Sequence, residues 1–220
     1  MKFIFYFLCS VLFLIFIFCF FTRKYVNPYT LSIIFGRKGS GKSTTIQKLA
    51  YRHYKKGWHI ACNIGDCSLP FAQQIDASHL WKYFNGEYDE VIPPGTCLFI
   101  DEVNLLWDNR EFKSFPKQLL EFFRLQRHYR IKIYMFSQTF DCDKKLRDLA
   151  DTLYIIKRKF RIWSYCRCYY KSIVIVRPKE SGQTATMCDD YCPAFRMPFF
   201  GSGIITYIPH WVKLFDSYKH

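Results

Sequence analysis

The chain opens on an unbroken apolar run. Phe3 to Phe21 reads FIFYFLCSVLFLIFIFCFF, with no charge, proline or glycine and one aliphatic hydroxyl, Ser10. At about 1.5 Å per residue, a helix of this length matches a hydrocarbon core about 30 Å thick. A buried helix of a soluble fold usually keeps a polar stripe, and this run has none. A cleaved signal carries a shorter apolar region, about 7–15 residues, that ends at small residues. Here the run ends in Cys-Phe-Phe-Thr-Arg-Lys. The pattern therefore predicts an uncleaved transmembrane anchor over residues 1–22 and a linker over 23–30.

After the linker, short apolar runs alternate with stretches of helical character. The alternation predicts strands at 31–35, 58–62, 97–100, 131–136 and 152–156, and helices at 42–56, 115–128 and 143–150. Residues 70–85 read as helical or irregular. Residues 157–177 read as further strands, and 178–220 as a C-terminal extension punctuated by Gly and Pro. Strand–helix alternation predicts an α/β fold with a parallel central sheet, helices on both faces, and a ligand at the carboxyl ends of the strands. The globular domain is expected over 31–177.

Candidate chemistry stands at those carboxyl ends. The strand Leu31–Phe35 runs into Gly36-Arg37-Lys38-Gly39-Ser40-Gly41-Lys42-Ser43, followed by Thr44 and a helix. This is a complete G-x-x-x-x-G-K-[ST] in its strand–loop–helix context. Glycines let such a loop turn tightly and aim its N–H groups at phosphates, and the helix start adds a positive dipole end. Residues 36–44 are thus the expected nucleotide cradle. Lys42 would reach the β- and γ-phosphates, and the Ser43 hydroxyl would ligate Mg²⁺. The strand Cys97-Leu-Phe-Ile100 ends in Asp101-Glu102. Asp101 would hold the Mg²⁺ shell, and Glu102 would act as general base on the attacking water. Asp-Glu points to ATP hydrolysis, and no guanine-reading Asn/Thr-Lys-x-Asp follows. A further strand ends in Ser137-Gln138. If it lies between the other two motif strands, as in additional-strand, catalytic-Glu NTPases, Gln138 would touch the γ-phosphate or the lytic water by hydrogen bonding without charge.

The 220-residue chain is half hydrophobic and one-fifth aromatic, so it is not a disordered segment. Its net charge of +14 favours a polyanionic partner, either nucleic acid or an anionic membrane surface. Between 157 and 170, Lys157, Arg158, Lys159, Arg161 and Arg167 mix with Trp163, Tyr165, Tyr169 and Tyr170. Such a mixture could track a single strand's phosphates and stack its bases, or simply belong to an antiparallel extension with a core face. No Cys-x-x-Cys occurs among the ten cysteines. Cys188 and Cys192 could form half a zinc site, but reduced cytoplasmic thiols are the plainer account. Lys2 precedes the apolar run, and Arg23, Lys24, Arg37 and Lys38 follow it, which leans toward a cytoplasmic C-terminal domain. A nucleotide site needs that compartment too.

The P-loop, Leu98-Phe-Ile-Asp-Glu-Val-Asn104, Asn109-Arg110 with Phe115-Pro116-Lys117, Leu119 to His128, Phe136-Ser-Gln138 and Asp143 to Leu149 together resemble the zonular occludens toxin (Zot) family. That family includes the filamentous-phage assembly ATPases. The resemblance is best over 31–153. It implies a P-loop motor of the FtsK–HerA type that binds ATP and Mg²⁺, assembles into a homo-oligomeric ring at the inner membrane and extrudes phage single-stranded DNA. Other virion-assembly or secretion proteins would be its partners. The family's phage members place their membrane span after the ATPase domain; here it comes first. Ring motors complete each site with a neighbour's arginine. Arg110, Arg127 and Arg147 are the candidates, with Arg127 and Arg147 favoured because they flank the strand ending in Gln138. The competing functions are a P-loop nucleoside or small-molecule kinase and an ATP-dependent membrane scaffold or effector.

Overall fold

Five consecutive buried residues, Leu31 to Phe35, form β1 at the centre of a nine-stranded sheet. The structure, a computed structural model, describes residues 2–22, 25–63, 69–83, 92–107, 117–139, 144–176, 186–194 and 203–212. After the N-terminal helix α1 (Lys2–Thr22), the order is β1 (Leu31–Phe35), α2 (Lys42–Tyr54), β2 (His59–Cys62), β3 (Ala72–Gln74), a kinked 3-10 segment (Ala77–Tyr83) and β4 (Thr96–Ile100). Next come α3 (Val103–Leu106), α4 (Lys117–Leu125), β5 (Lys132–Ser137), α5 (Lys144–Leu149) and β6 (Thr152–Lys159). The chain closes with β7 (Trp163–Val176), β8 (Thr186–Pro193), β9 (Ile204–Tyr207) and α6 (Ile208–Val212).

The strand order is β3-β2-β4-β5-β1-β6-β7-β8, with β9 also paired to β7. The six strands from β3 to β6 pair in parallel, and β7, β8 and β9 are added antiparallel. A parallel sheet must be covered on both faces, and the central strands alternate accordingly. Ile33, Leu98, Ile100, Ile133 and Met135 enter one core with Leu119, Phe122 and Phe123 of α4. Ile34, Cys97, Phe99, Tyr134 and Phe136 enter the other with Ile46, Leu49 and Ala50 of α2.

The expected α/β architecture is present, with shifted ends. The helix expected to 128 stops at Leu125, where turns lead to Arg130 at φ 56°. Residues 70–85 contain a short parallel edge strand as well as helical turns. The stretch expected as a C-terminal extension contributes β8 and β9 to the same sheet, through β7.

The chain enters the domain at the amino edge of the sheet. Ile133 N–H donates to Thr30 O (2.9 Å), and the Lys132 ammonium to Pro28 O (3.1 Å). Ile4–Thr22 of α1 is long and apolar enough to cross a membrane, and none of it is buried against the rest of the protein. A core helix would be mostly buried. A signal sequence would meet the same criterion of length and composition.

Candidate nucleotide site

The loop after β1 is held by its neighbours on both sides. Gly36 N–H donates to Ser137 O on β5 (3.0 Å), and Ser40 N–H to Arg37 O (3.1 Å). A Cβ at Gly36 would lie 1.9 Å from Cγ2 of Ile156 on β6. Glycine is therefore required there by close approach. At Gly41 it is required twice: φ is 93°, and a Cβ would lie 2.9 Å from that of Ser164 on β7. The Thr44 and Thr45 hydroxyls both donate to Gly41 O, at 3.0 and 2.8 Å. Thr44 thus braces the loop with its hydroxyl. Ser43 is half-buried beside Lys42 in the first turn of α2.

The Lys42 ammonium folds back over the loop, donating to Gly36 O (2.9 Å) and Arg37 O (3.4 Å). Burial lowers its pKa, while the charges of Asp101 and Glu102 pull it upward. These interactions put the cation and both carboxylates in one field, although Lys42 comes after β1 and Asp101 after β4, two strands separated by β5.

Asp101 and Glu102 leave β4 at its carboxyl end. Asp101 is clamped through its backbone: its N–H donates to Asn63 Oδ1 (2.8 Å), and Asn63 Nδ2 donates to Asp101 O (3.2 Å). Its own Oδ1 accepts the Glu102 N–H at 2.9 Å. Burial raises the Asp101 pKa; the Glu102 N–H and the Lys42 charge oppose that rise, and the Glu102 charge adds to it. Glu102 adopts φ 53°, ψ 44°, an uncommon left-handed conformation for a non-glycine residue. The twist aims its carboxylate at β5, where Gln138 Nε2 donates to Glu102 Oε1 at 3.0 Å. As expected, β5 lies between β4 and β1. Ser137 beside it is buried and donates to Asn104 Oδ1 (3.3 Å) and Thr139 O (2.7 Å).

A cleft of about 650 Å³ opens over the loop. Phe35 to Ser40 line it, with Gln138 and the β6 residues Ile155 to Arg158. The fit to a phosphate group rests on the loop. A half-buried ammonium spans it, two glycines cannot be replaced without collision, and the Ser40 hydroxyl is buried without a partner. The Asp101 carboxylate and the Ser43 hydroxyl are hard oxygen donors of the kind Mg²⁺ takes. No cluster of three or more His, Cys, Asp or Glu that could hold a metal occurs among the described residues. The side chain of Cys188 lies outside them.

The family model for zonular occludens toxin matches residues 30–176. This chain belongs to the Zot family. Among solved structures it is similar to the N-terminal domain of zonular occludens toxin from Neisseria meningitidis, at 19% identity and TM-score 0.51, covering 74% of this chain and 93% of that one. It is also similar to the genome packaging NTPase B204 from Sulfolobus turreted icosahedral virus 2 in complex with ATP-gammaS, at 14% identity and TM-score 0.48, covering 74% and 98%. No significant match occurs among curated protein sequences. The likeness to the Neisseria domain concerns the fold.

In this Zot-family fold the expected site residues separate into two groups. Gly36 to Thr44, Asp101, Glu102 and Gln138 converge at the carboxyl edge. Arg127 does not. It follows α4 and pairs with Asp151 (2.5 Å), whose other oxygen accepts the Leu31 N–H at the start of β1 (2.8 Å). That is the amino edge of the sheet, with β1 between Arg127 and the loop. Arg127 does flank the strand ending in Gln138, but at that strand's amino end, because a residue just before a parallel strand lies there and not beside the carboxyl-edge site. Arg147 is half-buried on α5, four residues before Asp151, and does not line the cleft. Arg110 lies outside the described residues.

Sequence reasoning missed Asn63 and Asn104. Both are polar residues just beyond short apolar elements at the carboxyl edge, a position that could have drawn notice. It also passed over Ile156 and Ser164, which crowd the two glycines; nothing local in their sequence marks them.

Proposed function

We propose that this chain is a membrane-anchored ATPase that drives assembly or extrusion of a single-stranded DNA virion at the inner membrane, working as a homo-oligomeric ring. The observation that carries the hydrolytic part is the Gln138–Glu102 hydrogen bond at the end of the inserted strand β5. It orients a carboxylate beside the phosphate loop, where a water would be activated. Membership of the Zot family and the apolar helix α1 support the membrane and virion parts of the reading.

Each residue has a distinct task. Backbone N–H groups of Gly36 to Thr44 hold the phosphates. Lys42 exchanges its loop carbonyls for phosphate oxygens and neutralises charge on the transferring group. Asp101 and Ser43 would hold Mg²⁺, which when bound would supply a further positive charge to the phosphates. Glu102 accepts the proton of the attacking water, and Gln138 keeps the Glu102 oxygen on line.

The test uses the full chain in detergent or lipid nanodiscs. Lys42→Ala should weaken ATP binding and abolish hydrolysis. Glu102→Gln, which removes only the base, should retain binding and stop turnover. Hydrolysis by Glu102→Gln at the wild-type rate would sink the assignment. Phosphate transfer to a nucleoside in place of water would favour a kinase.

A further inference from the structure

We infer that the tip of the β6–β7 hairpin is a contact element for single-stranded nucleic acid, set directly against the nucleotide cleft. This deepens the DNA-motor reading above and rests on it.

Four of the five residues Lys157 to Arg161 are cationic, and the fifth is Phe160. All residues from Lys157 to Trp163 are exposed. Phe160 is the extreme case at 86%, at the head of a turn closed by the Lys159–Trp163 pair. The turn is an unusual one. Phe160 and Arg161 both have positive φ, at 50° and 57°, where hairpins ordinarily place Asn or Gly. The Arg158 Nε donates to Arg161 O at 2.6 Å and closes the turn from the side. Bulky side chains are thus held outward at positions that backbone conformation alone would give to glycine. Behind the tip, Trp163 lies against Tyr207 with ring centroids 4.9 Å apart, and both rings are partly open to solvent. An exposed ring flanked along the chain by exposed cations suits a strand that offers unpaired bases and phosphates together.

The same features could serve an anionic lipid surface. The topology favours nucleic acid. The chain comes from α1 to the amino edge, where Pro28 and Thr30 are bonded to Lys132 and Ile133. The strand β6 runs parallel to β1, so its tip projects from the carboxyl edge. The hairpin therefore lies at the far end of the sheet from the entry of the candidate membrane helix. Its root also belongs to the cleft. Lys157 and Arg158 line it, and Ile156 packs where a Gly36 Cβ would stand. A strand engaged at Phe160 is two residues from the wall of the nucleotide site, a short path between DNA contact and hydrolysis.

The probe is fluorescein-labelled oligo(dT), titrated by anisotropy onto the full chain in nanodiscs of neutral lipid, with ATPase rate read in parallel. Phe160→Ala should weaken oligo(dT) binding about 10-fold, in the range of one lost base–aromatic stack. It should abolish stimulation of hydrolysis by oligo(dT) and leave the basal rate unchanged. Arg161→Gln should lessen the salt dependence of binding. Equal binding and equal stimulation in Phe160→Ala and wild type would overturn the assignment of the tip. Wild-type protein that binds neither oligo(dT) nor duplex would instead overturn the DNA-motor reading itself. A Phe160→Ala variant that binds oligo(dT) normally but loses affinity for phosphatidylserine vesicles would reassign the tip to membrane. The unchanged basal rate shows that the variant is folded.

Discussion

Replacing Gln138 with leucine keeps much of the side chain's bulk and removes its amide, including the Nε2–H that faces Glu102. That N–H now meets Glu102 Oε1 at 3.0 Å. Glu102 sits in a left-handed conformation and has no other side-chain restraint in the hydrogen bonds described for it, so its aim depends on this contact. A hydrogen bond to a charged group contributes about 1.5–3 kcal/mol. Both residues are half-buried, which favours the lower end. At about 1.4 kcal/mol per factor of ten, kcat should fall about 10- to 100-fold. Nucleotide affinity should stay within about 2-fold, because Lys42 and the loop are untouched. The assay pairs steady-state phosphate release with equilibrium binding of a fluorescent ATP analogue. The reasoning is refuted if Gln138→Leu hydrolyses at the wild-type rate. It is also refuted if the variant loses binding as fully as Lys42→Ala, since Gln138 would then be holding the loop or nucleotide instead of the base.

Gly36→Ala should abolish nucleotide binding and cost about 1–3 kcal/mol of stability, because its Cβ would drive into Ile156. Gly39→Ala should bind at least weakly, since nothing lies within 4 Å of its Cβ and only the φ of 74° resists it; paired melting curves and binding isotherms decide. His53 lies against Trp58 and Tyr134, and burial, then the charges of Lys132, Lys56 and Arg52, lower its pKa to about 4. A folded-state pKa below the unfolded value of about 6.5 means stability that is full above pH 6.5 and lost as pH falls toward 4. Allowing for partial solvent screening, the loss is about 1–2 kcal/mol, and urea denaturation of His53→Gln should show a flatter pH dependence over that window. Arg127→Ala should reduce stability by less than about 1 kcal/mol and leave hydrolysis unchanged, because its ion pair with Asp151 is surface-exposed at the far edge. A tenfold drop in hydrolysis without a change in melting would instead give Arg127 a role in a neighbouring site.

Much of the fold and site was legible because it depends on local pattern. The run Leu31–Phe35 is apolar but for Ser32 and holds the β-branched pair Ile33-Ile34, and the glycine loop that follows leaves one reading of strand, loop and helix. Asp101-Glu102 and Ser137-Gln138 each end an apolar run, so their place at the carboxyl edge follows from parallel topology alone. The packing that makes the loop work was not legible. Ile156 meets Gly36 from 120 residues away in sequence, and Ser164 approaches Gly41 from an antiparallel strand. Contacts of that range depend on register, which no local pattern reports. The hairpin turn was concealed for a different reason: Phe160-Arg161-Ile162 contains none of the residues that ordinarily mark a tight turn.

The arginines show what strand order adds to motif order. Counting along the chain, Arg127 and Arg147 flank the strand that ends in Gln138, and they look close to the chemistry. In a parallel sheet every helix returns the chain to the amino edge before the next strand begins. A residue at the end of α4 or α5 is therefore a strand's length from the nucleotide site, and Asp151 tethers Arg127 there by bonding β1 at its first residue. Besides the loop's own Arg37 and Lys38, the cations that line the cleft come from β6, which extends past its pairing with β1 and turns back as β7. Lys157 and Arg158 thereby gain a place on the cleft that no motif announces. The sheet thus separates two tasks along one axis. Its amino edge receives the chain from the apolar helix, and its carboxyl edge carries the phosphate loop, the carboxylate pair and the basic hairpin. Under the function proposed above, an anchored motor that moves a polymer would use that separation, because the end that grips the polymer has to be free of the end that is held.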